Sequence, residues 1–202
     1  ATFQYDAHGN QTSMLTANSV LRTTAYTAAQ QAYLIVGQGR EERFWYGPKG
    51  EKYRRAVSGV TNETTFYIGS VEVIQSSVGT TVFKRNIGGV AVQTISALAG
   101  TTLNETVVQD HLGSVVSLYS NATEPLPAAN QMDYGPFGTR RLVSNPEQYG
   151  PGLVVTATDK GFTGHAMVDQ LGVIHMGGRI YDPLQMRFMQ ADPFVQDPLS
   201  AQ

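Results

Sequence analysis

Apolar and polar residues alternate along most of this chain in short runs, and glycine-bearing turns separate the runs. The segment TTFYIGSVEVIQ places Val71 and Val73 around Glu72, a period of two that predicts a strand with unlike faces. TFQYDAHGNQTS sets Phe3 and Tyr5 on one face of a strand and then turns through residues 6–10. RFWYGPKGEKYRRAV reads as strand, turn and strand, with Gly47-Pro48-Lys49-Gly50 as the turn. Proline presets φ for the second position of a turn, and glycine accepts a left-handed position later in it. TTVFKRNIGGVAVQTI and ETVVQDHLGSVVSLYS repeat the plan. Over residues 2–120 the turn signals recur irregularly, often at the roughly 8–12-residue spacing of an all-β chain.

Helical pattern is scarce. Residues 20–34 have the length for a short helix, but Thr23, Thr24 and Thr27 are β-branched and favour extended chain. NATEPLPAAN at 121–130 reads as a proline-bearing loop, and 144–159, with NPEQYGPG, as a second loop or hairpin tip. Residues 160–194 show neither period. Arg179, Asp182, Arg187 and Asp192 are spaced through an otherwise apolar stretch there, which predicts an irregular, compact closing region. The expected fold is all-β: successive hairpins in one curling antiparallel sheet, with a distinct closing part after about Glu105.

Composition narrows the functional classes. The 202 residues suffice for one large all-β domain or two small ones. A charged fraction of 15% and 21 glycines favour tight turns over long surface helices. A net charge of −2 gives no broad field for nucleic acid. The chain has no cysteine, which excludes disulfides and thiolate metal sites. No apolar run approaches the ~18 residues of a membrane-spanning helix. The chain begins at Ala1 without a basic and apolar leader, so it reads as a piece of a longer protein whose targeting signal, if any, lies outside.

Candidate chemistry is sparse. His8, His111, His165 and His175 lack metal-ligand spacing, so neither metal nor cofactor is expected. His111 is expected to hydrogen-bond inside its own turn. No G-x-S-x-G elbow occurs, and the glycines at 37–39 and 88–89 read as turns rather than nucleotide loops. The N-x-T triplets at Asn62, Asn104 and Asn121 read as incidental. Tyr5, Trp45, Tyr46, Tyr53 and Tyr67 either pack between hairpins or form a carbohydrate-binding or adhesive face. A single row of solvent-exposed rings would favour the second reading, and rings buried between strands would sink it.

Several segments, taken in order, resemble bacterial Rhs/YD-repeat proteins. YDAHGN at 5–10 resembles the Tyr-Asp repeat, with Tyr5, Asp6 and Gly9 as its marks. FWYGPKGEKYRR is similar to a later variant of the repeat. QDHLGSVVSLYSN resembles the opening signature of the Rhs-associated core domain, carried by Asp110, His111 and Gly113. DYGPFGTRR and GFTGHAMVDQLGVIHMGGRIYDPLQMRFMQADPF resemble the middle and end of that core, the latter through Tyr181, Asp182 and Pro183. The resemblance implies YD repeats over 1–104 and a core domain over 105–202, continuous with each other. It implies a hollow β shell that holds a C-terminal toxin of the same polypeptide, made by a bacterium and secreted or displayed on its surface. Flanking YD repeats, the toxin and a secretion-apparatus component are the implied partners. Tyr5 is expected to pack its ring on the next repeat, and Asp6 to accept backbone N–H groups in its turn.

The resemblance also implies a self-cleaving aspartyl protease in the intact protein, with Arg179 and Asp192 matching its first part. Its second aspartate lies in a later Asp-Pro-x-Gly motif, and the chain ends before one occurs. Asp197-Pro198 is followed by Leu199-Ser200 instead. Two carboxylates must share a proton in such a dyad, so this piece is not expected to be an enzyme by itself. The plainer alternative for Arg179 and Asp192 is an ion pair that pins the last strand. The chain departs from the family at Gln185-Met186, where Leu-Gly is usual, and at Gly135, where an aspartate is usual.

Overall fold

The computed structural model describes residues 1–59, 62–120, 131–143, 145–149 and 158–192. Twelve strands form one antiparallel sheet in strict chain order. They are β1 (Thr2–Tyr5), β2 (Gln11–Leu15), β3 (Val20–Tyr26), β4 (Ala32–Gly37), β5 (Arg40–Tyr46), β6 (Lys52–Ser58), β7 (Glu63–Ile68), β8 (Val71–Ser76), β9 (Thr81–Ile87), β10 (Ala91–Ser96), β11 (Thr101–Gln109) and β12 (Val115–Tyr119). The sheet is not closed into a barrel. Residues 20–34, with their β-branched threonines, give β3, a turn and β4. Two small sheets follow: β13 (Met132–Tyr134), β14 (Arg140–Leu142) and β15 (Asn145–Tyr149), then β16 (Ala166–Val168), β17 (Val173–Met176), β18 (Arg179–Asp182) and β19 (Arg187–Phe188).

Residues 145–149, expected in a loop or hairpin tip, form strand β15. It pairs with β14 alone and so lies at an edge, where a residue without a backbone donor is tolerated. The expected loop at 121–130 and the stretch 150–157 lie outside the described residues. The expected division at 104/105 falls inside β11, and the sheet continues through it.

One turn recurs. At Asp6, the residue's N–H donates to the carbonyl four residues on, and its carbonyl accepts from the N–H three residues on. The same pair of bonds occurs at Thr27, Gly47, Ser76, Asp110, Gly135 and Gly161. The fourth residue of each turn has positive φ, from Gly9 (80°) to Gly164 (72°), as expected of a type I turn closed by a left-handed bulge residue. Gly135 forms its turn with no side-chain carboxylate at the first position. Opposite hairpin ends are tighter: Gly37 pairs directly with Arg40 across Gln38 and Gly39, both at positive φ.

Register assigns the faces. Thr24, Ile35, Glu42 and Val57 are successive cross-strand partners, and all are buried. They mark the inner face. Trp45, Arg54, Phe66, Val73, Phe83 and Ile95 are partners on the outer face. The segment 158–192 lies against the inner face. Ala32, Ile35 and Phe44 of the sheet pack there with Val168, Leu171, Val173, Ile180 and Met189 of the closing segment. Burying such side chains stabilises by roughly 1.5–3 kcal/mol each, so this contact is the main anchor of the closing segment.

Candidate functional site

The seam between sheet and closing segment begins at a buried ion pair. Arg22 of β3 meets Asp182 of β18, with side chains 6% and 1% exposed. Arg22 also donates from Nη1 to the Leu171 carbonyl at 3.0 Å. The second Asp182 oxygen accepts from the Leu184 and Gln185 backbone N–H groups at 3.0 and 3.2 Å. Asp182-Pro183 therefore starts a turn and ties that turn to the sheet.

Further along, the seam becomes a charge network. Glu42, 1% exposed, accepts from Arg40 Nε at 2.9 Å and from Arg55 Nε at 2.8 Å. Arg40 crosses to Gln170 of the closing segment at 2.5 Å, and Arg140 pairs with Asp169 at 2.7 Å. Burial pushes the Asp169 carboxyl up to about 6. Burial also raises the Glu72 carboxyl. Desolvation acts in the same sense on Asp159, but Lys160, Lys52 and Arg55 together hold it below its ordinary value. Lys52 lies 4.4 Å from the centre of the Tyr67 ring and 5.7 Å from that of Phe44. Burial draws its amine down to about 8.

Two chambers open beside this network. One, of about 300 Å³, is ringed by charged groups, including Arg55, Lys84 and Asp169. The other, of about 310 Å³, lies under β7–β12, and both touch Glu72 and Thr158. Among the described residues no cluster of His, Asp or Glu is arranged to hold a metal ion.

The sequence-selected residues fall in four places. Arg179 Nη1 and Asp192 Oδ2 are 3.0 Å apart, and the guanidinium lies 3.8 Å from the centre of the Phe188 ring. This pair borders a cavity of about 360 Å³ with Gln31, Pro48 and Met176. It holds one carboxylate beside one guanidinium. Tyr181 packs edge-on against Phe188. Asp6 accepts from the N–H groups of His8 and Asn10, both at 2.9 Å, and Asp110 accepts from those of Leu112 and Ser114, both at 2.8 Å. His111 is exposed, so Asp110 rather than the imidazole ties that turn together.

Three tyrosines that precede bulged turns reach backwards. Tyr26 Oη donates to the Gln11 carbonyl at 2.6 Å, Tyr46 Oη to that of Ala32 at 2.7 Å and Tyr134 Oη to that of Val115 at 2.7 Å. Each acceptor lies just beyond the preceding bulged turn. Tyr5 occupies the same place in the first hairpin and is 45% exposed. The five rings considered for sugar binding do not form one exposed row. Trp45 lies under Arg54, with 4.2 Å from guanidinium to ring centre. Tyr46 and Tyr67 are engaged on the inner face, and Tyr5 and Tyr53 are the exposed ones.

Sequence reasoning missed the inward-facing ions. Glu42, Arg55, Glu72 and Lys84 sit at alternate positions of strands, a pattern that also describes a solvated face. The length of the polar row across β5–β9 was the available signal.

No protein-family model matches the chain, and no curated protein does. Solved structures do. The crystal structure of TcdB2-TccC3 superposes with a TM-score of 0.73 at 14% identity, over 94% of this chain and 10% of that chain. TcdB2-TccC3-Cdc42 gives 0.70 at 15% identity, again over 94% and 10%. TcdB2-TccC3 without its hypervariable C-terminal region gives 0.73 at 14%, over 94% of this chain and 9% of that chain. The chain thus spans about a tenth of these much longer chains, and it shares with them an Rhs-like, all-β fold.

Proposed function

We propose that this chain is a structural segment of a bacterial polymorphic-toxin shell, secreted or displayed at the surface. Its sheet forms part of the wall, and residues 158–192 fold against the inner face near one end. Flanking repeats continue the wall, and a C-terminal toxin of the same polypeptide lies within it. The observation that carries the reading is the strictly sequential hairpin sheet, open rather than closed, whose fold matches a tenth of a TcdB2-TccC3 chain. A hairpin buries little by itself and gains from neighbours on its sheet. Stacking hairpins in a spiral leaves few open edges. The segment itself acts as a scaffold rather than as an enzyme.

In the intact protein, Arg179 and Asp192 belong to the self-cleavage site that frees the toxin. Their ion pair supports this by holding one carboxylate at the mouth of a cavity. The second carboxylate comes from sequence beyond this chain. The test is the full polypeptide, expressed as wild type, Asp192→Asn and Arg179→Ala, with intact mass as the readout. Cleavage in the wild type that is lost in both variants supports the reading. A folded wild type that stays whole reduces the pair to a pin for the last strand.

A further inference from the structure

The chamber under β7–β12 has a mixed lining. Val92, Val107, Val115 and Leu118 supply aliphatic groups. Glu72, Lys160 and Tyr67 supply polar ones. The Tyr67 hydroxyl is buried and finds no hydrogen-bond partner of good geometry. The Lys160 ammonium makes no direct ion pair among the described residues, and its charge acts on both Asp159 and Glu72. Glu72 holds only a long contact from Asn86 Nδ2, at 3.4 Å. A buried hydroxyl without a hydrogen bond is costly, and it borders the same space as the Lys160 ammonium and the weakly bonded Glu72 carboxyl. The volume of about 310 Å³ is at the lower end of the roughly 300–1,000 Å³ of small-ligand sites.

We propose that this chamber binds a small aliphatic zwitterion of the α-amino-acid class. The side chain lies on Val92, Val107, Val115 and Leu118. The carboxylate lies on Lys160 and accepts from the Tyr67 hydroxyl, and the ammonium lies on Glu72. A fatty acid would place nothing on Glu72, and an alkylamine would place nothing on Lys160. A sugar would set hydroxyls against the aliphatic groups. Burial raises the Glu72 carboxyl, and an ammonium placed there favours its ionised form. Affinity therefore rises with pH until Glu72 is ionised in the empty chamber.

The test titrates the protein with L-leucine, caproate, n-pentylamine and glycine by calorimetry and ligand-observed NMR at pH 7.5. L-leucine is expected to bind saturably at one site. Caproate and pentylamine are expected to bind at least tenfold more weakly, and glycine not measurably. Glu72→Gln and Lys160→Met each lower the leucine affinity at least tenfold with the circular-dichroism spectrum unchanged. If either variant fails to fold, the two single-charge ligands make the same comparison on the wild type. No saturable leucine binding overturns the proposal. So does caproate or pentylamine binding as well as leucine, or leucine affinity unchanged in both folded variants. The self-cleavage test is independent, so either reading can fail without the other.

Discussion

Met186 holds a left-handed backbone, φ 59°, with its side chain 56% exposed. Glycine adopts that conformation without a Cβ clash. The methionine gives up little packing on removal because it faces solvent. Met186→Gly is therefore expected to raise stability by about 1 kcal/mol, read as a higher denaturation midpoint with an unchanged slope. Gln30 has the same conformation at φ 61° but receives a side-chain bond from Asn10 at 2.5 Å. Glycine there would lose that bond, so Gln30→Gly should bring little or no gain. Arg22 and Asp182 behave in the opposite way. Removing one partner strands a buried charge, so Asp182→Ala should cost about 3–5 kcal/mol. Arg22→Met combined with Asp182→Leu should recover part of that loss in the same denaturation experiment.

At the scale of elements, the repeated turn and the backward-reaching tyrosine make each hairpin depend on the one before it. Tyr46 shows this most fully. Its hydroxyl donates to the Ala32 carbonyl, so at the 2.9 Å contact with His175 Nε2 the imidazole is the donor. His175 is 3% exposed and packs against Phe44 and Tyr46, and burial holds it well below its ordinary value. Tyr46→Phe strands both the Ala32 carbonyl and the His175 donor, and should cost about 1–3 kcal/mol in thermal or chemical unfolding. The turns and strands were legible in the sequence because glycine, Asp-x-x-Gly and period-two alternation act locally. The direction of the tyrosines was not. A ring at a strand end can lie on either neighbour, and nothing local in the sequence chooses between them. The Arg22–Asp182 pair was equally hidden, since nothing local links residues so far apart in the chain.

At the scale of the whole molecule, the closing segment is held by an apolar patch at one side and by ions over the rest of the seam. The sequence shows a closing region but not that polar rows face inward. Period two separates two faces without saying which one is enclosed, and the outer row carries Trp45, Phe66 and Phe83. Among the groups that make stability depend on pH, His175 and Asp169 act in opposite senses. His175 is depressed in the folded state, so its contribution is full above about 6.5 and is lost as pH falls. Asp169 is raised to about 6 from 3.8. Its contribution is full below the unfolded value and is lost as pH rises through about 6, on the order of 3 kcal/mol in all. Between pH 4 and 7 the two slopes offset each other, and the wild type should show a shallow profile. Asp169→Asn removes the falling limb, so its stability should rise with pH across that window. His175→Gln removes the rising limb, so its stability should fall. Urea melts of the three proteins at half-unit pH steps make the comparison. Parallel profiles in all three would show that neither group's burial differs between the folded and unfolded states.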